Sequence, residues 1–352
     1  MILYLCPSKL LKMSKIKFAV IGAGHIGKRH AEMVKRNPDC ELLAFCDVRS
    51  AEECNIQDFQ VPLFNDVQEM FKALPEIDVV SVCTPNGLHA SQSMQVLNAK
   101  KHLVVEKPMA LTKAACEEII FKSLQVQRQV FCVMQNRYSP PSQWIKQILD
   151  DGKLGEIYMV NINCYWNRDD RYYKKDHWKG KLESDGGTLF TQFSHFIDIM
   201  YWLFSDITNI QARMMDFNHA HSTQFEDSGM VNFDFVNGGL GSFNFSTSVY
   251  DQNYESSMTI IGEKGTVKIG GQYMNEVQYC HIQGYEMPVL PEGNPANDYG
   301  LYKGSAANHV YIIENVVETL KGQSIITTNA LEGMKVVDII ERMYDAAPKI
   351  RK

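Results

Sequence analysis

The sequence predicts an α/β domain followed by an α+β domain with a mostly antiparallel open sheet. Its 352 residues are enough for two cores, since 45% of them are hydrophobic. Up to Gln135, short apolar runs alternate with amphipathic stretches, which is typical of a parallel sheet covered by helices on both faces. After Gln135, such runs follow one another across glycine-rich turns, which favours antiparallel strands.

The first domain is predicted to run from residue 14 to residue 135. Its expected strands are 16–22, 41–47, 79–84, 102–106 and 130–135, and its expected helices are 25–36, 66–74, 88–99 and 113–127. Residues 1–13 place a short apolar start before their lysines, the reverse of the order in a signal peptide. We expect them to form a disordered N-terminal extension.

The second domain is predicted to cover residues 136–352. Helices are expected at 142–150, 188–204, 306–321 and 329–346, and strands at 157–165, 207–216, 228–235, 239–248, 256–262, 267–269 and 276–282. A loop rich in Pro, Gly and Tyr is expected at 284–304. We expect the last helix to pack back on the first domain.

Composition argues against several classes of protein. The net charge is −6 and no cluster of Lys and Arg offsets it, so we expect no nucleic-acid partner. No run reaches the roughly 18 apolar residues of a membrane span, so we expect no membrane partner. The nine cysteines include no CxxC pair, which favours buried free thiols in a reducing compartment. We therefore expect a cytoplasmic protein without a metal site.

A glycine fingerprint lies between the first strand and the first helix. Gly22 permits a tight turn, Gly24 lets the backbone approach a pyrophosphate, and Gly27 lets the helix pack close to the strand. The helix begins at His25 and Ile26, where free N–H groups favour phosphate oxygens. The motif predicts a Rossmann domain that binds a dinucleotide through these five residues.

Asp47 ends the second strand, 20 positions after Gly27. A carboxylate at this place accepts hydrogen bonds from the ribose hydroxyls and repels a 2′-phosphate. The position therefore favours NAD over NADP. Arg49 is the one neighbour that argues the other way.

Two further segments end strands at the edge of the sheet where ligands gather. Thr84 and Asn86 should face the cofactor, and His89 is either a cofactor contact or part of a helix cap. In the segment 106–108, Glu106 and Lys107 precede a proline that holds the lysine backbone extended. We expect Glu106 and Lys107 to contact the cofactor, with the Lys107 ammonium near the nicotinamide.

Four motifs occur in a fixed order along the chain. They are the glycine fingerprint, the Thr-Pro-Asn segment 84–86 with His89, the Glu-Lys-Pro segment 106–108, and the Gly-Gly pair 186–187 before a histidine-containing helix. The chain thereby resembles the Gfo/Idh/MocA family of oxidoreductases over nearly its whole length from about residue 16. The resemblance implies a nicotinamide cofactor, sugar-like substrates and a homodimer or homotetramer built through the sheet of the second domain.

The helix predicted at 188–204 carries the histidine that the resemblance marks as catalytic, His195. Thr191, Gln192, His195 and Asp198 are three or four positions apart, which predicts one polar face on an otherwise apolar helix. Such a stripe must be satisfied internally or face a ligand. We expect it to face the substrate.

The residues around this helix are similar to one branch of the family. Some branches have Asp four residues before the histidine, where this chain has Thr191. The pattern Gln-x-x-His-x-x-Asp looks closer to the branch that oxidises UDP-N-acetylglucosaminuronate at C3. Arg168, Tyr172 and Trp178 are candidate substrate contacts, whereas Lys179 is expected to be a solvated loop charge.

The expected reaction is the NAD-dependent oxidation of a sugar hydroxyl. His195 would take the hydroxyl proton while Lys107 stabilises the developing alkoxide, although a low pKa of Lys107 would reverse these roles. A dehydrogenase of a free sugar or inositol is one alternative. A non-catalytic NAD-binding sensor or scaffold is the other, and the presence of both Lys107 and His195 argues against it.

Overall fold

The computed structural model of the chain describes residues 14–175, 177–298, 300 and 302–348. The extension predicted for residues 1–13 lies outside the described residues. Two large sheets confirm the predicted fold class: the first is parallel and the second is mostly antiparallel.

The first sheet has six parallel strands in the order β3-β2-β1-β4-β5-β6. They are β1 (Ile16–Ile21), β2 (Cys40–Cys46), β3 (Leu63–Phe64), β4 (Val79–Val82), β5 (His102–Val105) and β6 (Val130–Cys132). All four residues of β4 are buried, as expected for a strand covered on both faces. The sequence did not predict β3, because two residues are too few to show a period.

The helices of this half are α1 (His25–Arg36), α2 (Ala51–Cys54), α3 (Val67–Ala73), α4 (His89–Asn98) and α5 (Lys113–Val126). Asp66 and Thr112 cap α3 and α5 through their side-chain oxygens, which explains where these helices begin. The four predicted helices are present to within about two residues, and only the single turn of α2 was missed.

The second sheet has seven strands in the order β13-β12-β11-β7-β10-β9-β8. They are β7 (Ile157–Tyr165), β8 (Ile207–Met215), β9 (Ser228–Phe235), β10 (Leu240–Ser246), β11 (Glu255–Gly262), β12 (Gly265–Gly270) and β13 (Glu276–Ile282). Only β7 and β10 pair in parallel. The loop predicted at 284–304 differs from the prediction, because it contributes two short paired strands, β14 (Ala296–Asp298) and β15 (Lys303–Ala306).

Four helices complete the second half: α6 (Pro140–Asp150), α7 (Ser194–Phe204), α8 (His309–Leu320) and α9 (Ala330–Asp345). The C-terminal pair returns to the first sheet. Ile313 and Val316 of α8 share a buried cluster with Phe18 and Val20 of β1, and α9 contacts both α5 and α7. This return brings the start of α8 to the carboxyl edge of the first sheet.

Within the described part of the chain, every helix is too short or too polar to traverse a lipid bilayer. The cysteines described there are all free, and most of them are buried. Burial in apolar surroundings raises the pKa of the Cys46 and Cys116 thiols to about 12, so both are inert thiols.

Candidate active site

A cavity of about 750 Å³ lies at the carboxyl edge of the first sheet, closed on its far side by residues that follow β7 and by α7. Of the site residues predicted from the sequence, only Gly27 does not line it. The others are Gly22, Gly24, His25, Ile26, Asp47, Thr84, Asn86, His89, Glu106, Lys107, Arg168, Tyr172, Trp178, Gln192 and His195. The structure thus brings residues from both halves of the sequence to one surface.

The three glycines of the fingerprint have different surroundings. Gly22 has φ +93°, and a Cβ there would lie 2.7 Å from the Cys83 carbonyl oxygen. A Cβ on Gly27 would lie 1.8 Å from the Gly22 carbonyl oxygen, so only glycine lets α1 pack this closely against the turn. A Cβ on Gly24 would meet nothing within 4 Å. The open space at Gly24, at the start of α1, fits a dinucleotide pyrophosphate.

Asp47 stands at the end of β2 and is already oriented by the protein. Its carboxylate accepts a 2.7 Å hydrogen bond from the Ala23 amide and two bonds of 2.9–3.0 Å from the Arg49 guanidinium. Burial opposes ionisation, but the bonds from Arg49 and Ala23 outweigh it and lower the pKa of Asp47. A fixed carboxylate at this edge suits the ribose of NAD, and Arg49 is held beside it.

Lys107 follows β5 and reaches across to the second half of the chain. Its Nζ donates a 2.6 Å hydrogen bond to the Thr191 carbonyl. Burial lowers the pKa of Lys107, while the negative charges of Glu106 and Asp185 oppose that change. A lysine has three N–H donors, so a partner at one of them leaves the others for a substrate oxygen.

His195 is the second residue of α7 and is 3% exposed. Its Nδ1 has no hydrogen-bond partner among the described residues. Burial, followed by the charge of Lys107, holds the pKa of His195 well below its ordinary value. The imidazole is therefore neutral at neutral pH and has a nitrogen able to accept a proton.

The helix that carries His195 differs from the prediction. Residues Leu189–Phe193 form a π-helical turn, so the spacing of three and four expected from an α-helix does not hold across it. Thr191, Gln192 and His195 line the cavity, but Asp198 does not. Asp198 is fully buried and pairs instead with Arg137, 2.6 Å from its guanidinium. The predicted polar stripe therefore divides between the cavity and an internal ion pair.

Asp185 lies behind the cavity wall, bonded to Thr191, and the sequence analysis did not single it out. Its carboxylate accepts hydrogen bonds from the Thr191 hydroxyl and, at 2.8 Å, from the Gly180 amide. Asn86 donates to the Thr191 hydroxyl at 2.7 Å and to the Asp185 carbonyl at 2.8 Å. Burial raises the pKa of Asp185 to about 6. The sequence contained a signal for Asp185, because this acid directly precedes the Gly-Gly pair of the family pattern.

Arg168 forms part of the cavity wall. It is 2% exposed, and its Nε donates a 2.8 Å hydrogen bond to Gln192. The guanidinium lies over the rings of Trp166 and Tyr172, with its carbon 4.8 and 5.1 Å from their centroids. Gln192 in turn donates to the Tyr172 hydroxyl at 2.8 Å. Three of the predicted substrate residues, Arg168, Tyr172 and Gln192, are thus joined to one another by hydrogen bonds and ring contacts.

Lys179 corrects the expectation of a solvated loop charge. Its Nζ lies 3.6 Å from the centroid of the Tyr172 ring and 3.0 Å from the Tyr302 hydroxyl. Burial, followed by the charge of Arg168, lowers the pKa of Lys179 to about 7. Tyr302 was missed because it lies in the predicted loop, and no local pattern indicates which loop residue meets a distant lysine. Trp178, the neighbour of Lys179, lines the same part of the cavity.

Two predicted cofactor residues are fixed by the protein itself. The ring nitrogens of His89 lie 2.7 Å from the Pro108 carbonyl and 2.9 Å from the Thr84 carbonyl, so this side chain ties the two strand-end segments together. Glu106 contacts two buried histidines, and these three residues are potential metal ligands that converge.

Open space at Gly24, a fixed carboxylate at the end of β2, a partly buried lysine and a buried histidine are what an NAD-binding oxidoreductase requires. Residues 16–133 match the family model of the oxidoreductase family with an NAD-binding Rossmann fold, and residues 142–268 match the GFO/IDH/MocA C-terminal domain. The chain belongs to the Gfo/Idh/MocA oxidoreductase family.

Similar proteins of known structure cover almost the whole chain. The WlbA dehydrogenase from Chromobacterium violaceum, solved with NADH and UDP-GlcNAcA, is 30% identical with a TM-score of 0.85, over 96% of this chain and 94% of that one. The WlbA dehydrogenase from Bordetella pertussis, with the same two ligands, is 29% identical with a TM-score of 0.83, over 94% and 96%. The D-glucoside 3-dehydrogenase of Escherichia coli K12 is 24% identical over 356 residues, which cover 95% of this chain and 96% of the relative. The chain is therefore a dehydrogenase of the kind that acts on sugar hydroxyls.

Proposed function

We propose that this protein oxidises the C3 hydroxyl of a nucleotide sugar of the UDP-N-acetyl-hexosaminuronate type, with NAD as the hydride acceptor. The observation that carries the proposal is the meeting of Lys107 and His195, from the two halves of the chain, in the cavity that also contains the glycine cradle. The similarity to the two WlbA dehydrogenases, which were solved with NADH and UDP-GlcNAcA, supports the substrate.

The chemistry requires the loss of a hydride and a proton from one carbinol. When bound, NAD supplies the nicotinamide ring that accepts the hydride. We assign the hydroxyl proton to His195, since its lowered pKa keeps the imidazole neutral. Burial also lowers the pKa of Lys107, so the reversed assignment with Lys107 as the base is the alternative. Lys107 donates to the same oxygen and stabilises the developing negative charge while its bond to the Thr191 carbonyl fixes its direction.

The charge of the cavity supports an anionic substrate. Lys107, Arg168 and Lys179 bring three basic groups to its wall, where the ionised Glu106 lies next to Lys107. Asp47 lies at the ribose end and is paired with Arg49. A substrate carboxylate or diphosphate would be attracted by this excess, and a guanidinium can bind either one in two-pronged fashion.

Substitution of the two proposed catalytic residues tests the reaction. Lys107→Ala and His195→Ala should each lower kcat by at least ~100-fold, because each removes a group that acts on the reacting hydroxyl. NAD affinity, measured by calorimetry, should change less than about threefold. Lys122→Ala and His221→Ala, at residues that do not line the cavity, are the matched controls. Near-normal turnover in both active-site variants would refute the assignment.

A substrate panel separates the nucleotide-sugar proposal from the alternatives. NADH formation should be fastest with UDP-N-acetylglucosaminuronate and slower with UDP-N-acetylglucosamine, glucosides and inositol. The similarity to D-glucoside 3-dehydrogenase makes a glycoside the second candidate. NAD binding without turnover of any sugar would instead favour a sensor or scaffold.

The dependence of KM on pH tests the role of Lys179. Its folded pKa of about 7 means that the ammonium is present below pH 7 and is lost as the pH rises above it. KM for the uronate should therefore rise from pH 6 to pH 8 by a few-fold, and Lys179→Gln should abolish that change. The exposed neighbour Lys181 provides the control, as Lys181→Gln. An unchanged pH dependence in Lys179→Gln would exclude contact between this ammonium and the substrate anion.

A further inference from the structure

A buried cluster of one carboxylate and two imidazoles lies beside Lys107. The Oε1 of Glu106 is 2.9 Å from Nε2 of His30, on α1, and 3.5 Å from Nε2 of His309, at the start of α8. All three residues are less than 7% exposed. Oε2 of Glu106 accepts a 3.2 Å hydrogen bond from the Lys107 amide. Three elements distant in sequence thus converge on the residue that precedes Lys107.

The hydrogen bonds hold Glu106 as a carboxylate. Burial would favour its neutral form, but the bonds from His30 and His309 outweigh burial and keep the pKa of Glu106 well below its ordinary value. Ser81 lies 3.3 Å from Nδ1 of His30, so its hydroxyl can donate to that nitrogen while Nε2–H points at Glu106. A buried negative charge is costly unless a cation lies close to it.

We propose that Glu106 is a positioning residue, whose carboxylate, held between His30 and His309, is the fixed counter-charge that keeps the neighbouring Lys107 ammonium protonated inside the cavity. The proposal rests on the function proposed above for Lys107. It assigns Glu106 to the lysine rather than to the cofactor contact expected from the sequence.

The other charged groups that act on Lys107 do not replace Glu106. Arg168 lowers the proton affinity of the lysine, as burial does. Asp185 raises that affinity, but burial raises the pKa of Asp185 to about 6, so its own charge weakens within the acid half of the working range. His195 is kept neutral by burial and so adds little charge. Glu106 is therefore the anion that persists next to the lysine at all pH values near neutrality.

A metal ion is the competing explanation of the cluster, because its three potential ligand atoms lie within 4.8 Å of one another. A zinc ion would sit about 2.0–2.2 Å from each ligand and would separate the ligand atoms to more than 3 Å. The 2.9 Å contact between His30 and Glu106 is instead the length of a charge-assisted hydrogen bond. We therefore interpret the cluster as hydrogen-bonded.

The experiment measures the pKa of Lys107 directly. Acetic anhydride acylates only the free amine, so the rate of Lys107 modification against pH, followed by peptide mass spectrometry on the full chain, reports that pKa. In Glu106→Gln the lost carboxylate should move the midpoint down by about one pH unit or more, a roughly tenfold change in proton affinity. Glu226→Gln, which also neutralises a buried glutamate but faces Tyr344, should leave the midpoint unchanged.

A second variant keeps the test valid if Glu106→Gln does not fold. Glu106→Asp retains the charge but withdraws it by one methylene, so its midpoint should fall by less than in the glutamine variant. An unmoved midpoint in Glu106→Gln, or in Glu106→Ser if the glutamine variant does not fold, would overturn the proposal. So would a fall in Glu106→Asp as large as in the variant without the charge. So would a stoichiometric metal found by elemental analysis of the purified protein.

The outcome is distinguishable from a failure of the proposed function. The labelling needs no substrate, so it reports the Glu106–Lys107 coupling even if Lys107→Ala retains full turnover. If both proposals hold, kcat changes with pH as the Lys107 ammonium loses its proton. The midpoint of that change should move in Glu106→Gln by the same amount as the labelling midpoint. A purely structural role of Glu106 would change the melting temperature without moving either pH profile.

Discussion

The space around the missing Cβ atom distinguishes the roles of the glycines in the fingerprint. Gly24 and Gly27 are three residues apart, yet one faces open space and the other presses on the Gly22 carbonyl. The backbone of Gly24 is also one that alanine can adopt, with φ −74° and ψ −167°. The same substitution at the two positions should therefore have opposite consequences.

Gly24→Ala should fold with a melting temperature near that of the wild type and should weaken NAD binding by about tenfold or more, because its methyl group enters the proposed pyrophosphate space. Gly27→Ala should lower the free energy of unfolding by about 3 kcal/mol, because α1 must move away from the turn. Thermal denaturation and calorimetry with NAD separate the two effects. A destabilised Gly24→Ala that binds NAD normally would contradict this interpretation of the cradle.

At the scale of elements, a buried ion cluster fixes the helix that carries His195. The fully buried guanidinium of Arg137 binds Asp198 of α7 and lies 2.8 Å from Glu332 of α9. Arg137 therefore joins α7 and α9 to the segment that follows β6. Because the cluster is dry, its members depend on one another far more than exposed ion pairs do.

Asp198→Leu should lower the free energy of unfolding by about 3 kcal/mol, since it leaves Arg137 with only one carboxylate in a dry site. The double variant Arg137→Met with Asp198→Leu should recover most of that loss. Asp169→Asn removes an exposed partner of Arg171 and should change stability by less than about 1 kcal/mol. Urea denaturation measures the wild type, Asp198→Leu, Arg137→Met, the double variant and Asp169→Asn. Additive effects of the two core changes would show that the pair does not act as a unit.

At the scale of the whole molecule, one face of the second sheet lacks a covering layer among the described residues. Large apolar side chains project from it, including Met230, 63% exposed, and Leu240, 54% exposed. Met159 of β7 is paired with Leu240 of β10 and is also exposed. Such a surface on an open sheet is typical of a contact between subunits. The homodimer or homotetramer expected from the family resemblance stays a prediction.

Leu240→Glu should reduce the assembly to a smaller species without unfolding the chain, because it places a charge on the proposed contact face. Light scattering after size exclusion gives the mass, and circular dichroism checks the fold. Phe121→Glu alters an equally exposed apolar residue on α5 and should leave the mass unchanged. If Leu240→Glu and the wild type have the same mass, the subunits do not meet through this face.

The sequence by itself determined the order of strands and helices, the glycine turn, the strand-end positions of Asp47 and Lys107, and the family. These features depend on periods, turns and spacings that lie within short segments of the chain. His195 was also identified locally, because the Gly-Gly pair precedes its helix.

Only the tertiary structure decided which polar residues share a surface. Asp198 lies one turn after His195 on α7 and pairs with Arg137 instead of facing the substrate cavity. Lys179 became a cavity residue because Tyr302, more than a hundred positions later, folds back over it. Glu106 met His30 and His309 in the same way. Such contacts depend on packing between segments far apart in the chain, and no local pattern encodes which distant side chain will compensate a buried charge.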